Sequence, residues 1–108
     1  SSCGTSISAA TSERRISLQE IVELVAAEMD VPQEDIVSKK RSAEIAWARQ
    51  VAMYLARELT DNSLARIGEF FGGRDHSTVL HSYNKVADLI EEDEQILWLI
   101  NDLRAAFE

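Results

Sequence analysis

Apolar residues recur at intervals of three and four through residues 16–108, and they do not alternate with period two over any useful length. The first spacing places side chains on one face of an α-helix, whereas a half-buried strand requires alternation. A chain of 108 residues has the size of one ordinary domain. The sequence therefore predicts an all-α fold, a compact bundle of about six helices without a sheet.

Residues 1–15 are small and polar and show no periodicity, so we interpret them as a flexible tail or linker. The single cysteine, Cys3, lies there, and we expect it to be a free thiol. The start of the chain has neither the basic nor the apolar region of a secretory leader, and no apolar run approaches the ~20 residues of a membrane span. These features predict a cytoplasmic protein.

Capping residues and glycines mark the helix boundaries. Ser17 and Glu20 have the spacing of a capping box, and Ser63 is a suitable N-cap for a short helix. Residues 42–60 form a long helix that we expect to be central, because apolar residues cover two of its sides. We interpret residues 91–94 as an acidic turn before the last helix. Both tryptophans, Trp47 and Trp98, are interpreted as core or inter-helix packing residues.

The charge of the whole chain, −8 with a pI near 4.7, counts against a nucleic-acid partner. The charge is unevenly distributed, however. Residues 39–85 carry eight basic and five acidic residues, a net charge of +3, whereas residues 1–38 carry −5 and residues 86–108 carry −6. The middle of the chain is therefore a basic segment between acidic flanks, and it can present a positive surface to phosphates.

The short helix from Leu64, the tight turn around Gly72 and Gly73, and the longer helix after Asp75 have the proportions of a helix-turn-helix motif. Helical spacing directs a set of polar residues away from the apolar stripe of the second helix: Ser77, Thr78, His81, Asn84 and Lys85. Arg74, Asp75 and His76 cluster at the N-terminus of this helix, the end that enters a major groove in this motif. The carboxylate of Asp75 can cap the helix, read a base, or do both.

Two separated motifs carry a resemblance to a known family. The segment Gly72-Gly73-Arg74-Asp75-His76-Ser77-Thr78-Val79-Leu80-His81 and the upstream segment from Arg49 to Thr60, together with the Lys39-Lys40-Arg41 loop, resemble the C-terminal DNA-binding domain of the DnaA family of bacterial chromosomal replication initiators. The resemblance covers about residues 16–108, which we interpret as one helix-turn-helix DNA-binding domain.

This resemblance implies binding of duplex DNA at short sites called DnaA boxes in the replication origin. It implies that four residues face base edges in the major groove: Asp75, His76, Ser77 and Thr78. It also implies that Arg41 enters the adjacent minor groove, and that six residues contact the DNA backbone: Lys39, Ser42, Arg49, Gln50, Arg57 and His81. The polar faces described above add Arg74 and Lys85 to the predicted DNA-binding residues.

We expect no enzyme activity, no cofactor, no metal and no small-molecule substrate. His76 and His81 are about 140° apart around a helix, whereas zinc-binding helices use an i, i+4 pair with a third ligand. The ATPase of the resembled family lies in a different domain, which we expect N-terminal to this one in a full-length parent. We expect the isolated domain to be a monomer. The alternative function is a helical protein-interaction module, because acidic flanks can repel DNA and attract a basic partner.

Overall fold

The computed structural model describes residues 16–107, and every regular element within that range is a helix. The six helices of these residues are α1 (Leu18–Met29), α2 (Gln33–Ile36), α3 (Ala43–Leu59), α4 (Leu64–Phe70), α5 (His76–Glu92) and α6 (Glu94–Ala105). The prediction of an all-α bundle of about six helices is confirmed. The predicted tail, residues 1–15 with Cys3, lies outside the described residues. No helix in residues 16–107 combines the length and apolar character needed to cross a membrane.

The predicted helix caps at Ser17 and Ser63 form. The backbone N–H of Glu20 donates to Ser17 Oγ over 3.1 Å, and the backbone N–H of Ser17 donates to Glu20 Oε2 over 2.9 Å, which completes the capping box of α1. At α4, the backbone N–H of Arg66 donates to Ser63 Oγ over 3.2 Å. These side chains satisfy backbone donors that a helix start leaves without a partner.

Helix α3 is the centre of the bundle, as its two apolar sides predict. It contacts each of the other five helices. Along residues 48–56 every side chain is buried except that of Gln50, which is half-buried. A helix surrounded in this way anchors its neighbours through apolar burial, which is the dominant favourable contribution to folding. Helix α5 packs against α3, and the basic loop leads directly into α3. The loop and α5 therefore hold fixed positions relative to each other.

The connection between α4 and α5 is a tight turn that requires glycine. Gly72 and Gly73 have φ values of 93° and 73°, in the left-handed region that L side chains rarely adopt. Phe71 is fully buried below the turn, and the backbone N–H of Arg74 donates to the carbonyl of Gly68 over 2.8 Å. A Cβ on Gly68 would lie 2.1 Å from the carbonyl oxygen of Arg74. The close approach of α4 to the turn sets the position at which α5 begins.

The predicted acidic turn is wrong in extent. Glu91 and Glu92 continue helix α5, and only Asp93 is non-helical between α5 and α6. The backbone N–H of Asp93 donates to the carbonyl of Leu89 over 2.8 Å, while its carboxylate accepts from the backbone N–H of Gln95 over 2.9 Å. One residue thus closes α5 and caps α6, because Asp is short enough to bond the first turn that follows it.

The two tryptophans differ in their environment. Trp47 is half-buried and packs against the core, as predicted. Trp98 is 59% exposed, so the prediction that it is a packing residue is wrong. Helix α6 instead turns Ile100 and Leu103 into the core, and Trp98 lies on the opposite face. The apolar residues of α6 surround more of the helix than the core can cover.

Candidate nucleic-acid interface

The exposed face of α5 agrees with the spacing of its sequence. The core side of α5 is formed by Val79, Ser82 and Val86, all of which are buried. The polar residues predicted to point outward are all exposed: Ser77, Thr78, His81, Asn84 and Lys85. This face carries hydroxyl, imidazole, amide and ammonium groups. These groups supply the donors and acceptors that hydrogen bonds to base edges and phosphates require.

The N-terminus of α5 leaves hydrogen-bonding groups available. Asp75 occupies the N-cap position with an extended backbone, but its carboxylate makes no capping hydrogen bond. Its backbone carbonyl accepts from the N–H groups of Thr78 and Val79 at 3.0 and 3.2 Å. The carboxylate of Asp75 therefore does not cap the helix, although Asp75 occupies the N-cap position, and this exposed carboxylate has no hydrogen-bond partner among residues 16–107. The first turn of a helix also directs free N–H groups and a partial positive charge outward.

The loop before α3 lies beside the turn before α5. Two shallow concavities form where the loop, the turn and α5 meet, and both are lined by Arg41, Arg74 and Thr78. The first also includes Lys39, Gly72, Gly73 and Asp75. The second also includes Arg49, Gln50 and His81. Three segments that are distant in sequence, the basic loop, the polar edge of α3 and the N-terminal part of α5, therefore form one surface.

The charged groups that line this surface are mainly cationic. The lining contains the side chains of Lys39, Arg41 and Arg74, whereas Asp75 is its only carboxylate. Lys40 does not line this surface, and its ammonium forms an ion pair with Asp35 Oδ2 at 3.1 Å. Cations gathered around a concavity attract phosphates more strongly than the same charges spread over a surface. The acidic average of the chain therefore does not describe this site.

Several predicted contact residues lie on the margins of the surface. Ser42 is exposed at the N-cap of α3 and makes no side-chain capping bond. Arg57 is exposed two turns beyond Gln50 on α3, and Lys85 is exposed one turn beyond His81 on α5. These three residues do not line the concavities. They extend the polar surface along the two helices and to the start of α3.

Arg49 has a structural role that the sequence reasoning missed. It is only 6% exposed, and its guanidinium donates to the carbonyls of four residues of the preceding segment: Asp35, Ile36, Ser38 and Lys40. Burial lowers the pKa of Arg49, and the nearby Arg74 lowers it further. The available signal was helical spacing, because Arg49 lies four residues from Ile45 and from Met53, both buried.

The fold and this surface together define a class: a helix-turn-helix protein whose second helix presents a polar face beside a basic loop. No cluster of metal-ligating side chains occurs among residues 16–107. Comparison with known proteins gives the particular family. The family model described as bacterial dnaA protein helix-turn-helix matches residues 18–86, and the chain belongs to this family.

Individual relatives agree with this assignment. The chromosomal replication initiator protein DnaA of Oenococcus oeni is 48% identical over 93 residues, which cover 86% of this chain and 21% of that protein. A solved structure described as that of a DNA replication initiation factor is 37% identical and has a TM-score of 0.74; the match covers 83% of this chain and 27% of that one. The chain therefore spans between a fifth and a third of the length of these relatives.

Proposed function

We propose that this domain binds DnaA boxes in duplex DNA at a replication origin, and that this binding initiates or regulates chromosomal replication. Helix α5 reads the major groove from its N-terminal turn, while the loop before α3 enters the adjacent minor groove. The observation that carries the proposal is the single surface on which Arg41, Arg74 and Thr78 meet. A recognition helix and a basic arm on the same side can engage neighbouring grooves of one duplex.

The proposed contacts divide into base reading and backbone positioning. Asp75, His76, Ser77 and Thr78 face base edges, since they form the exposed N-cap and first turn of α5, where even short side chains approach the groove floor. Arg41 reads the minor groove, whose width and potential depend on A·T content. Contacts with phosphates fall to the surrounding polar groups that reach the surface: Lys39, Ser42, Gln50, Arg57, Arg74, His81 and Lys85. These contacts supply affinity and register rather than sequence discrimination. The guanidinium of Arg49 is instead buried against the carbonyls of the loop segment.

We infer that the domain acts as a monomer, is not itself catalytic and needs no cofactor. Because the chain covers 21% of its Oenococcus oeni relative, we propose that an ATPase domain precedes it in a full-length cytoplasmic protein. DnaA boxes are not palindromic in the resembled family, so one domain per site is the expected arrangement.

Selection of bound sequences from a random duplex pool tests this proposal. We expect enrichment of one non-palindromic motif resembling a DnaA box. Titration of that motif and of a scrambled duplex at two salt concentrations then separates specific from nonspecific binding, because phosphate contacts weaken steeply with salt. Equal affinity for both duplexes, or a requirement for two protein chains per site, contradicts the proposal.

Docking of a basic protein is the second candidate function. It is favoured by Trp98, which is 59% exposed on α6 with Glu94 and Asp102 one turn to either side. An aromatic side chain surrounded by polar groups is typical of protein interfaces. If docking were the main function, Trp98→Ala would abolish binding of the partner, and the domain would show no sequence preference toward duplex DNA.

A further inference from the structure

The segment that precedes the basic loop is held by one buried cation. Arg49 Nε donates to the carbonyl of Ile36 over 2.8 Å, and Nη2 lies 2.8 Å from the carbonyl oxygen of Ser38 and 2.9 Å from that of Lys40. A further contact of 3.0 Å joins Nη2 to the carbonyl of Asp35. No carboxylate within residues 16–107 pairs with Arg49. The charge of this guanidinium is therefore compensated by backbone dipoles of a single segment, residues 35–40.

The same segment is also held from the side of the helix-turn-helix turn. Arg74 Nη2 donates to the carbonyl of Ser38 over 3.3 Å, and Arg74 Nε donates to the carbonyl of Phe71 over 3.1 Å. Gly72 packs directly against the segment, since a Cβ at this position would lie 2.9 Å from the carbonyl oxygen of Val37. The Ser38 carbonyl is thus shared by Arg49 of α3 and Arg74 of the turn, which connects the loop with both elements.

This arrangement determines where Arg41 lies. Arg41 follows Lys40, the last residue whose carbonyl Arg49 holds, and it is exposed beside Thr78 in the surface described above. Ordering a loop before binding removes part of the entropic cost that a mobile arm would pay on contact with DNA. The ordered loop also fixes the distance between Arg41, which enters the minor groove, and helix α5, which reads the adjacent major groove.

We propose that Arg49 is a positioning residue for the DNA contact of Arg41, and that it sets sequence preference at one edge of the site through the loop rather than by binding a phosphate itself. The inference rests on the proposed function and deepens it. If Arg49 contacted a phosphate, removing its side chain would lower the affinity for every duplex alike. A positioning role predicts instead a loss of discrimination at the base pairs that Arg41 reads.

A double-mutant cycle separates these roles. Arg49→Met, Arg41→Ala and the double variant are titrated against the selected site and against versions changed at the Arg41 edge. We expect each single variant to reduce discrimination at that edge about tenfold, and the double variant to lose little more. Arg49→Lys retains the charge and should restore part of the discrimination. Additive losses that affect all duplexes equally would overturn the inference and assign Arg49 to a phosphate.

A matched glycine pair covers the case in which Arg49→Met does not fold. Gly72→Ala and Gly73→Ala both place a side chain at a positive φ, but only the former meets the loop, since nothing lies within 4 Å of a Cβ on Gly73. We expect tryptic cleavage after Lys39, Lys40 and Arg41, measured without DNA, to be faster in Gly72→Ala than in Gly73→Ala. Equal behaviour of the two folded variants contradicts the coupling between turn and loop.

A measurement without DNA separates failure of this inference from failure of the proposed function. Trypsin cleaves after Lys39, Lys40 and Arg41, so the rate of cleavage reports how firmly the loop is held. We expect Arg49→Met to be cut at these residues at least several-fold faster than the wild type, with unchanged cleavage at Arg57 in α3. Unchanged cleavage of the loop overturns the positioning role even if the domain binds its site, whereas absence of any sequence preference in the wild type rejects the function alone.

Discussion

Tyr83 on α5 donates a hydrogen bond of 2.6 Å to Glu58 Oε2 on α3. The ring of Tyr83 also stacks on that of Tyr54, with 5.0 Å between the ring centroids and 18° between the planes. Arg104 on α6 lies 3.8 Å from the other oxygen of the Glu58 carboxylate. These contacts join the recognition helix to the central and last helices through side chains outside the proposed DNA surface.

The hydrogen bond between Tyr83 and Glu58 makes the free energy of unfolding depend on pH in the alkaline range. The hydrogen bond to Glu58, with smaller contributions from burial and nearby charge, raises the pKa of Tyr83 from 10.0 to about 12. Because the folded-state pKa exceeds the unfolded one, the stabilisation is complete below pH 10 and is lost as the pH rises from 10 to 12. We expect the difference in free energy of unfolding between wild type and Tyr83→Phe, measured with urea, to shrink over that interval. A constant difference would contradict this account.

Base reading and phosphate binding should respond differently to mutation. We expect His76→Ala and Thr78→Ala each to cost on the order of 1 to 3 kcal/mol against the selected site, with little loss on nonspecific duplex. Arg57→Ala should weaken both and make the salt slope shallower by roughly one unit. Titrations at two salt concentrations measure these effects, with folding checked by circular dichroism. If folded His76→Ala and Thr78→Ala keep the full specificity ratio, α5 is not the reader.

The loop cations should also divide into two types. Arg41→Ala is expected to lower discrimination at one edge of the site as well as affinity, because minor-groove width and potential vary with A·T content. Lys39→Ala should weaken all sequences alike, since a phosphate contact carries no sequence information. Binding to a panel of single-base-pair variants measures both profiles. Matching profiles for the two variants would assign both residues to phosphates.

Gly68 should be essential to the turn for steric reasons. Because a Cβ there would lie 2.1 Å from the carbonyl oxygen of Arg74, Gly68→Ala must displace backbone, and we expect a loss of about 1–3 kcal/mol or more in the free energy of unfolding. Gly73→Ala is the control, since it meets no neighbour and adds only the penalty of a left-handed residue, ~1–2 kcal/mol. Denaturant unfolding of both variants tests this, and a smaller loss for Gly68→Ala would contradict it.

Sequence alone determined the features that depend on neighbouring residues. The capping box at Ser17, the N-cap at Ser63, the glycine turn and the polar face of α5 all arise from interactions within a few positions, so local spacing predicts them. The central position of α3 also followed, because a helix that is apolar on two sides requires neighbours on both.

Tertiary structure decided which of several possible partners each side chain received. The sequence analysis assigned Arg49 to the DNA backbone, and local spacing could not show that its guanidinium would hold carbonyls as far as 14 positions away. The contact of Arg74 with Ser38 spans 36 positions, and the exposure of Trp98 depends on which face of α6 the core leaves uncovered. Such pairings depend on how whole helices pack, because a buried charge must find acceptors wherever the fold brings them within hydrogen-bonding distance.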